Sequence, residues 1–156
     1  MKGLRFERLA EAHLPEVLAI EAESNPAPWS EESFRGEITN PQSVFLVAVA
    51  EGRVAGFGGV WIVVDEAHVT TLAVAPELRR KRIGIAIMEA LLEVAAARGA
   101  RCSTLEVRAG NAAAIALYEG LGYVRTAERK RYYQGKEDAA VMWLDRLPMS
   151  AGSRRR

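Results

Sequence analysis

A run of basic residues near the middle of the chain precedes a segment with helical periodicity. The run is Arg79-Arg80-Lys81-Arg82, and the apolar residues after it recur at the spacing of an amphipathic helix that Gly99 closes. Free amides at a helix N-terminus bind phosphates, and the helix dipole and basic side chains strengthen this binding. Gly84 has no side chain and would let the backbone approach a ligand closely. The run therefore predicts a phosphate-binding loop, although on charge alone a solvated helix start is the commoner explanation.

Known nucleotide-binding fingerprints do not describe this loop. It contains no Gly-Lys-Ser/Thr, which excludes a Walker A loop, and no Gly-x-Gly-x-x-Gly, which excludes the dinucleotide fingerprint. Any phosphate ligand must therefore be held by another kind of strand–loop–helix junction.

A second group of polar residues lies on and after a strand predicted over residues 102–108. Glu106 lies within this strand, Asn111 is placed to cap the next helix, and Tyr118 follows seven residues later on the same helix face. A carboxylate can take a proton from an amine, and a phenol can give one to a leaving group. On spacing alone, however, Glu106 is more often solvent-facing or paired with a residue such as Arg108, and Tyr118 is more often a core residue.

Thiol and metal chemistry find little support in the sequence. Cys102 is the one cysteine, so an internal disulfide is impossible, and we expect it to be a small buried hydrophobe rather than an acyl-carrying nucleophile. His13 and His68 do not form a metal-binding spacing, and one cysteine cannot make a zinc site. We predict no metal.

Two stretches of the chain resemble the GNAT superfamily of N-acetyltransferases. Arg79-x-x-Arg82-x-Gly84 is similar to the family's acetyl-CoA loop, in which glycine is usual at the position of Arg82. The stretch from Leu105 to Tyr123 is similar to the family's second half, especially in the bacterial ribosomal-protein-alanine N-acetyltransferases, the RimI type. Further support comes from Pro28-Trp29-Ser30, Arg131-Tyr132-Tyr133 and Glu137-Asp138-Ala139-Ala140-Val141-Met142.

The resemblance implies a cosubstrate site and a set of functional residues. Acetyl-CoA would lie between strands over residues 69–74 and 102–108, with Glu106 as general base and Tyr118 as general acid. The acceptor channel would be lined by Trp29, Tyr132 and Tyr133, although an aromatic residue at each of these positions is equally often an ordinary packing residue. The implied cofactor-binding residues are Leu72, Ala73, Val74, Arg80, Lys81, Arg82, Ile83, Gly84, Ile85 and Asn111.

The implied reaction is direct transfer of acetyl from acetyl-CoA to an amine. The best candidate acceptor is a protein N-terminal α-amine, and the RimI type implies the N-terminal alanine of a small-subunit ribosomal protein. A relative that acts on another N-terminus, a lysine side chain or a small metabolite stays open. A non-catalytic acetyl-CoA sensor or partner subunit also stays open, because Arg82 replaces the usual glycine. If φ at this position is positive, the Cβ of the arginine destabilises the loop by roughly 1 kcal/mol.

The composition fits one globular domain. The 156 residues are 49% hydrophobic, and 21 Lys and Arg against 20 Asp and Glu give a net charge of +1, which argues against a general nucleic-acid binder. No uncharged run is long enough to span a membrane, and the charged start has no export signal. We predict a cytoplasmic protein with no membrane or specific nucleic-acid partner, one domain over residues 1–148 and a flexible basic tail over 149–156. The oligomeric state stays open.

The elements that must position these residues alternate between strands and helices, in the order β-α-α-β-β-β-α-β-α-β-β. Hairpin strands beside strand–helix–strand crossovers predict an α/β fold with a mixed central sheet of about seven strands and about four flanking helices, which is the GNAT fold that the resemblance implies. Gly56, Gly58 and Gly59 predict a bulge or a close backbone neighbour.

Overall fold

The structure, a computed structural model, describes residues 3–133 and 137–147. Its strands are β1 (Arg5–Arg8), β2 (Ser43–Ala50), β3 (Arg53–Val63), β4 (Glu66–Val74), β5 (Cys102–Arg108), β6 (Val124–Tyr133) and β7 (Glu137–Leu144). Its helices are α1 (Leu14–Ser24), α2 (Glu31–Thr39), α3 (Ile83–Ala97) and α4 (Ala112–Gly120), with short 3-10 helices at Glu11–His13 and Pro76–Leu78. The predicted element order and the α/β class are confirmed.

One predicted boundary differs from the structure, and two predicted features near the C-terminus are not tested by it. β4 begins at Glu66, three residues before the predicted start at Val69, because a two-residue turn at Val64 and Asp65 joins it directly to β3. The predicted basic tail over 149–156 lies outside the described residues, so it stays a prediction, as does the domain boundary at 148.

The seven strands form one sheet in the order β1-β2-β3-β4-β5-β7-β6. Every neighbouring pair is antiparallel except β4 and β5, which run parallel. Their pairing covers only three residues on each strand and ends at His68 opposite Thr104. Beyond that pair, toward their carboxyl ends, the two central strands separate and open the sheet.

The two faces of the sheet carry separate hydrophobic cores. The residues of α3 pack on one face with Leu105 and Val107 of β5, and α4 lies beside them. The residues of α1 and α2 pack on the other face around Phe34, Phe45 and Phe57, which contact one another edge-on or stacked. Because side chains alternate along a strand, each of the separated strands presents residues to both faces of the opening.

Glycines in β3 let α3 lie close to the sheet. A Cβ on Gly58 would lie 2.9 Å from Ile87 Cγ2 and from Leu91 Cδ1, closer than real contacts allow. The register between β3 and β4 also shifts at Gly59, so that Thr70 is an extra residue in β4. The predicted bulge is thus confirmed at Gly59, and the predicted close backbone neighbour at Gly56, where a Cβ would lie 2.6 Å from the carbonyl oxygen of Ala73.

None of the helices in the described part of the chain is long and apolar enough to cross a membrane.

Candidate active site

A cleft of about 690 Å³ opens where β4 and β5 separate. The two strands form its walls, α4 borders it on one side of the sheet, and the end of α1 with the following loop borders it on the other. Its lining includes Glu21, Trp29, Thr70, Leu72, Ala73, Glu106, Arg108, Asn111, Tyr118 and Glu137. The cleft thus brings together both residues predicted to carry protons.

Glu106 lies on the face of the sheet that α1 and α2 cover, because its neighbours Leu105 and Val107 point to the opposite core. Its Oε1 accepts a hydrogen bond from Arg129 Nη1 at 2.9 Å. Its Oε2 is buried and has no hydrogen-bond partner among the described residues. One carboxylate oxygen of this cleft-lining residue is therefore engaged by an arginine, and the other is buried without a partner.

The ion-pair partner of Glu106 differs from the suggested one. Arg108, on the same strand, donates instead to Glu137 at 3.1 Å. Glu106 reaches across β7 to Arg129 of β6, since β7 lies between β5 and β6 in the sheet. Sequence spacing favours a neighbour two residues away, whereas the sheet order brings a residue 23 positions away into contact.

Tyr132 is an aromatic residue that lies beside Glu106. The guanidinium of Arg129 lies over the Tyr132 ring, 4.1 Å from its centroid. A hydrogen bond with Glu106 raises the pKa of the Tyr132 hydroxyl, and partial burial adds to the shift. Glu106, Arg129 and Tyr132 therefore form one contiguous group at the edge of the opening.

Tyr118 is buried in α4 and lines the cleft. Its ring packs edge-on against Tyr123 with 5.7 Å between centroids. Asn111 caps α4 as predicted, because its Oδ1 accepts a hydrogen bond from Ala114 N at 3.1 Å. Asn111 and Tyr118 both line the cleft, so the predicted common helix face is confirmed.

The basic loop forms the start of α3. Arg82 is the residue before the helix and has a left-handed backbone (φ 64°, ψ 19°), and Arg80 has φ 67°. The first helical hydrogen bond runs from Ala86 N to the carbonyl of Arg82, and no side chain caps the helix. The amides of Ile83, Gly84 and Ile85 thus have no acceptor within the helix, which is the arrangement that binds phosphates.

The predicted cofactor-binding residues divide into two groups. Leu72, Ala73 and Asn111 line the cleft itself. Val74 and the residues of the α3 start lie outside its lining. Gly84 has a packing reason to be glycine, because a Cβ there would lie 3.0 Å from Leu117 Cδ1 of α4.

Glu21 is a cleft residue that the sequence prediction missed. It is 1% exposed, and its Oε2 accepts hydrogen bonds from Trp29 N at 2.9 Å and Asn25 Nδ2 at 3.1 Å. These bonds hold the segment between α1 and α2 against the cleft. A signal did exist, because Glu21 continues the buried stripe of Leu14 and Val17 at helical spacing, where a charged residue is unusual.

The three predicted acceptor-channel aromatics have different positions. Trp29 lines the cleft and packs on Phe34, with 5.1 Å between ring centroids. Tyr132 lies beside Glu106 and is 44% exposed. The backbone of Tyr133 pairs with Glu137, but its side chain lies outside the described part of the structure.

Cys102 lies at the start of β5 and does not line the cleft. It is half-buried, so the expectation of full burial is wrong, because its side chain lies near the sheet end beside the carbonyl of Asp65. Burial, followed by the nearby carboxylates, raises the pKa of its thiol. Within the described ranges, no group of His, Cys, Asp and Glu side chains is arranged to hold a metal ion.

Comparisons with known proteins agree with this architecture. Residues 14–123 match the sequence profile of the acetyltransferase (GNAT) family. The [ribosomal protein bS18]-alanine N-acetyltransferase of Salmonella typhimurium is 40% identical over 87% of this chain and 93% of its own, and that of Escherichia coli K12 is 39% identical over 84% and 90%. The crystal structure of the Escherichia coli ribosomal-protein-S18-alanine N-acetyltransferase superimposes with a TM-score of 0.84, at 34% identity over 95% of this chain and 97% of that one. The chain belongs to the GNAT family of acetyltransferases.

Proposed function

We propose that this acetyltransferase transfers acetyl from acetyl-CoA to a protein N-terminal α-amine, and that the N-terminal alanine of the ribosomal protein bS18 is its acceptor. The supporting observation is the cleft between the separated strands, with a carboxylate oxygen of Glu106 unpartnered inside it. The names of the Salmonella and Escherichia coli relatives, which match over nearly their whole length, support the choice of acceptor.

Acetyl-CoA would be held at two places. The unpaired amides of Ile83, Gly84 and Ile85, with the basic side chains of Arg80, Lys81 and Arg82, fit its diphosphate. The β4 residues Leu72, Ala73 and Val74 fit the pantetheine arm, since β4 has no β5 partner in this region and its backbone groups face the opening. When bound, acetyl-CoA supplies the acetyl group as an activated thioester.

Glu106 acts as the general base in this proposal. An ammonium cannot attack a thioester, so the acceptor reacts as its neutral amine, and Glu106 Oε2 takes the proton that the nitrogen must lose as the C–N bond forms. The ion pair between Arg129 and Oε1 requires an ionised carboxylate, which is the form that accepts a proton. Because a free α-amine has a pKa of about 8, a fraction of the acceptor is already in the neutral, reactive form near neutral pH.

Tyr118 acts as the general acid. The departing sulfur needs a proton, and the Tyr118 hydroxyl on α4 gives it. Glu106 belongs to the strand wall and Tyr118 to the helix wall of the same cleft, so proton removal and proton delivery occur at separate groups. No cysteine acyl-enzyme is involved, since Cys102 lies outside the cleft lining and burial raises the pKa of its thiol.

The acceptor enters from the side of α1 and α2. Glu21 orders the segment that carries Trp29, and Tyr132 lies beside Glu106 on the neighbouring strands. These residues form the walls through which the N-terminal residue reaches the cleft, and Tyr133 is proposed to join them. Carboxylates at Glu21, Glu106 and Glu137 make the lining attractive to a positively charged N-terminus.

The test measures release of the CoA thiol with a peptide that carries the first residues of bS18 and a free N-terminal alanine. We expect turnover, and Glu106→Gln lowers kcat/KM roughly 10²-fold or more near neutral pH. Raising the pH should partly restore this variant, because more of the amine is then neutral. Glu128→Gln makes the same change in an exposed glutamate that contacts Arg125 and Lys130, so it should leave the rate unchanged.

Two controls separate the alternatives. The same peptide with a blocked N-terminus and an internal lysine should not react, and reaction there would identify a lysine acetyltransferase instead. Acetyl-CoA binding without thiol release from any amine would identify a sensor and overturn the proposal.

A further inference from the structure

Two buried polar atoms of the described structure have no hydrogen-bond partner, and both belong to residues that line the cleft. They are Glu106 Oε2 and Thr70 Oγ1. Leaving a buried polar group unsatisfied is unfavourable, so such groups are rare in folded proteins and call for a physical explanation. The general-base role proposed above accounts for the oxygen of Glu106 but leaves the hydroxyl of Thr70 unexplained.

Thr70 and Glu106 occupy matching positions on the two separated strands. The last β4–β5 pair is His68 with Thr104, and Thr70 and Glu106 each lie two residues beyond it. Thr70 is also the extra residue of the β4 bulge. They therefore stand across from each other where the opening begins.

The hydroxyl of Thr70 lies on the acceptor side of the sheet. A Cβ on Gly59 would lie 3.0 Å from Thr70 Oγ1 and 2.7 Å from the ring of Phe45, which belongs to the core beneath α1 and α2. Glu106 points to this same face. Since neither oxygen has a partner, the two do not bond each other, and a small polar group held between them would satisfy both.

The chemistry of the acceptor provides such a group. A neutral primary amine that attacks a carbonyl carbon directs its lone pair at that carbon and its two N–H groups elsewhere. Glu106 Oε2 can accept one of these hydrogen bonds and a threonine hydroxyl the other. The amine is then fixed by two acceptors on opposite strands, which is the orientation that attack requires.

We propose that Thr70 Oγ1 is the second acceptor for the attacking nitrogen, so that Thr70 and Glu106 together bind and orient the α-amine. The inference rests on the proposed function and adds a residue to it. As the new C–N bond forms, the proton on the Glu106 side moves to Oε2, while the bond to Thr70 persists and carries no proton transfer. Thr70 therefore orients the acceptor without acting as an acid or base.

The test compares Thr70→Val with Thr70→Ser, using the alanine peptide. Valine keeps the shape but removes the hydroxyl, so we expect kcat/KM for the peptide to fall roughly tenfold, the usual effect of one hydrogen bond. Serine keeps the hydroxyl and should stay within about threefold of the wild type. The KM for acetyl-CoA should change less than about twofold in both variants, because Thr70 is not expected to touch it.

Thermal unfolding provides the readout that separates binding from a structural role. Valine replaces a buried hydroxyl that has no partner, so the unfolding midpoint should stay the same or rise while activity falls. If valine prevents folding, Thr70→Ala against Thr70→Ser makes the same comparison, because both lack the methyl group and differ only in the hydroxyl.

Each outcome distinguishes this inference from the proposed function. Full activity of Thr70→Val beside a disabled Glu106→Gln would overturn the role of Thr70 and leave the proposed function intact. Loss of activity together with a lowered midpoint in both valine and alanine variants would show that Thr70 is structural. Absence of turnover by the wild type would refute the proposed function itself.

Discussion

Replacing Arg82 by glycine should stabilise the protein, because the arginine has a backbone conformation that suits glycine. Its φ of 64° places the Cβ of a non-glycine residue against its own backbone, at roughly 1–2 kcal/mol. Glycine removes that strain but makes the unfolded chain more flexible, which lowers stability by roughly 0.4–1 kcal/mol. Taken at the middle of the two ranges, the difference is a net gain of about 0.8 kcal/mol. For a domain of 156 residues, the unfolding midpoint should then rise by about 1–4 °C.

Lys81→Gly is the matched control for this change. It removes one positive charge from the same loop, but φ at Lys81 is not positive, so no strain is relieved. Only the effect on the unfolded chain remains, and the midpoint should fall by about 1–4 °C. Scanning calorimetry of the two variants and the wild type measures both shifts. A decrease for Arg82→Gly equal to that for Lys81→Gly would refute the strain argument.

The strain at Arg82 affects stability rather than acetyl-CoA affinity. Arg82 has the left-handed conformation in the folded protein, so the strain lowers the free energy of unfolding. The Arg82 side chain is exposed, and an exposed charge contact contributes roughly 0.2–1 kcal/mol. Arg82→Gly should therefore weaken acetyl-CoA binding less than about tenfold, as titration calorimetry can measure. Binding that appears only after the change to glycine would mean that the natural loop is degenerate.

Two further substitutions test the proton donor and the thiol. Tyr118→Phe keeps the ring and removes the proton donor, so kcat should fall at least roughly tenfold while the Kd of acetyl-CoA changes little. An unaltered kcat would show that Tyr118 is a packing residue. Cys102→Ala should keep most activity because transfer is direct, and an acetyl group trapped on Cys102 during turnover would contradict direct transfer. The raised pKa of the thiol also predicts slow alkylation of the wild type at pH 8.

The fold followed from local patterns because those patterns agree with the tertiary structure. Asn111 caps α4, as its position before a helical segment indicated, and Ser30 caps α2 in the same way. At Gly56 and Gly58 of β3 a Cβ would lie within 3.0 Å of side chains of α3, whereas at Gly59 it would meet Phe45 and Thr70. Local propensity and long-range packing point to the same elements.

The site was only partly predictable, since its contacts depend on strand order. Nothing in the sequence places Arg129 near Glu106, because their contact requires β7 to insert between β5 and β6. Thr70 likewise reads as an ordinary strand residue until the bulge and the end of the β4–β5 pairing are known. Glu106, Asn111 and Tyr118, which the motif named, line the cleft, whereas the contacts that depend on the opening of the sheet were not predicted.

The two oxygens of Glu106 explain how one carboxylate can be both paired and reactive. Arg129 engages Oε1, but the guanidinium is about half exposed, so the pair is screened by solvent and contributes little net energy. It nevertheless orients the carboxylate, because Arg129 is itself positioned by packing over the ring of Tyr132. Oε2 then remains without a partner of its own. An incoming α-amine would meet a preoriented acceptor oxygen without first having to break the existing ion pair.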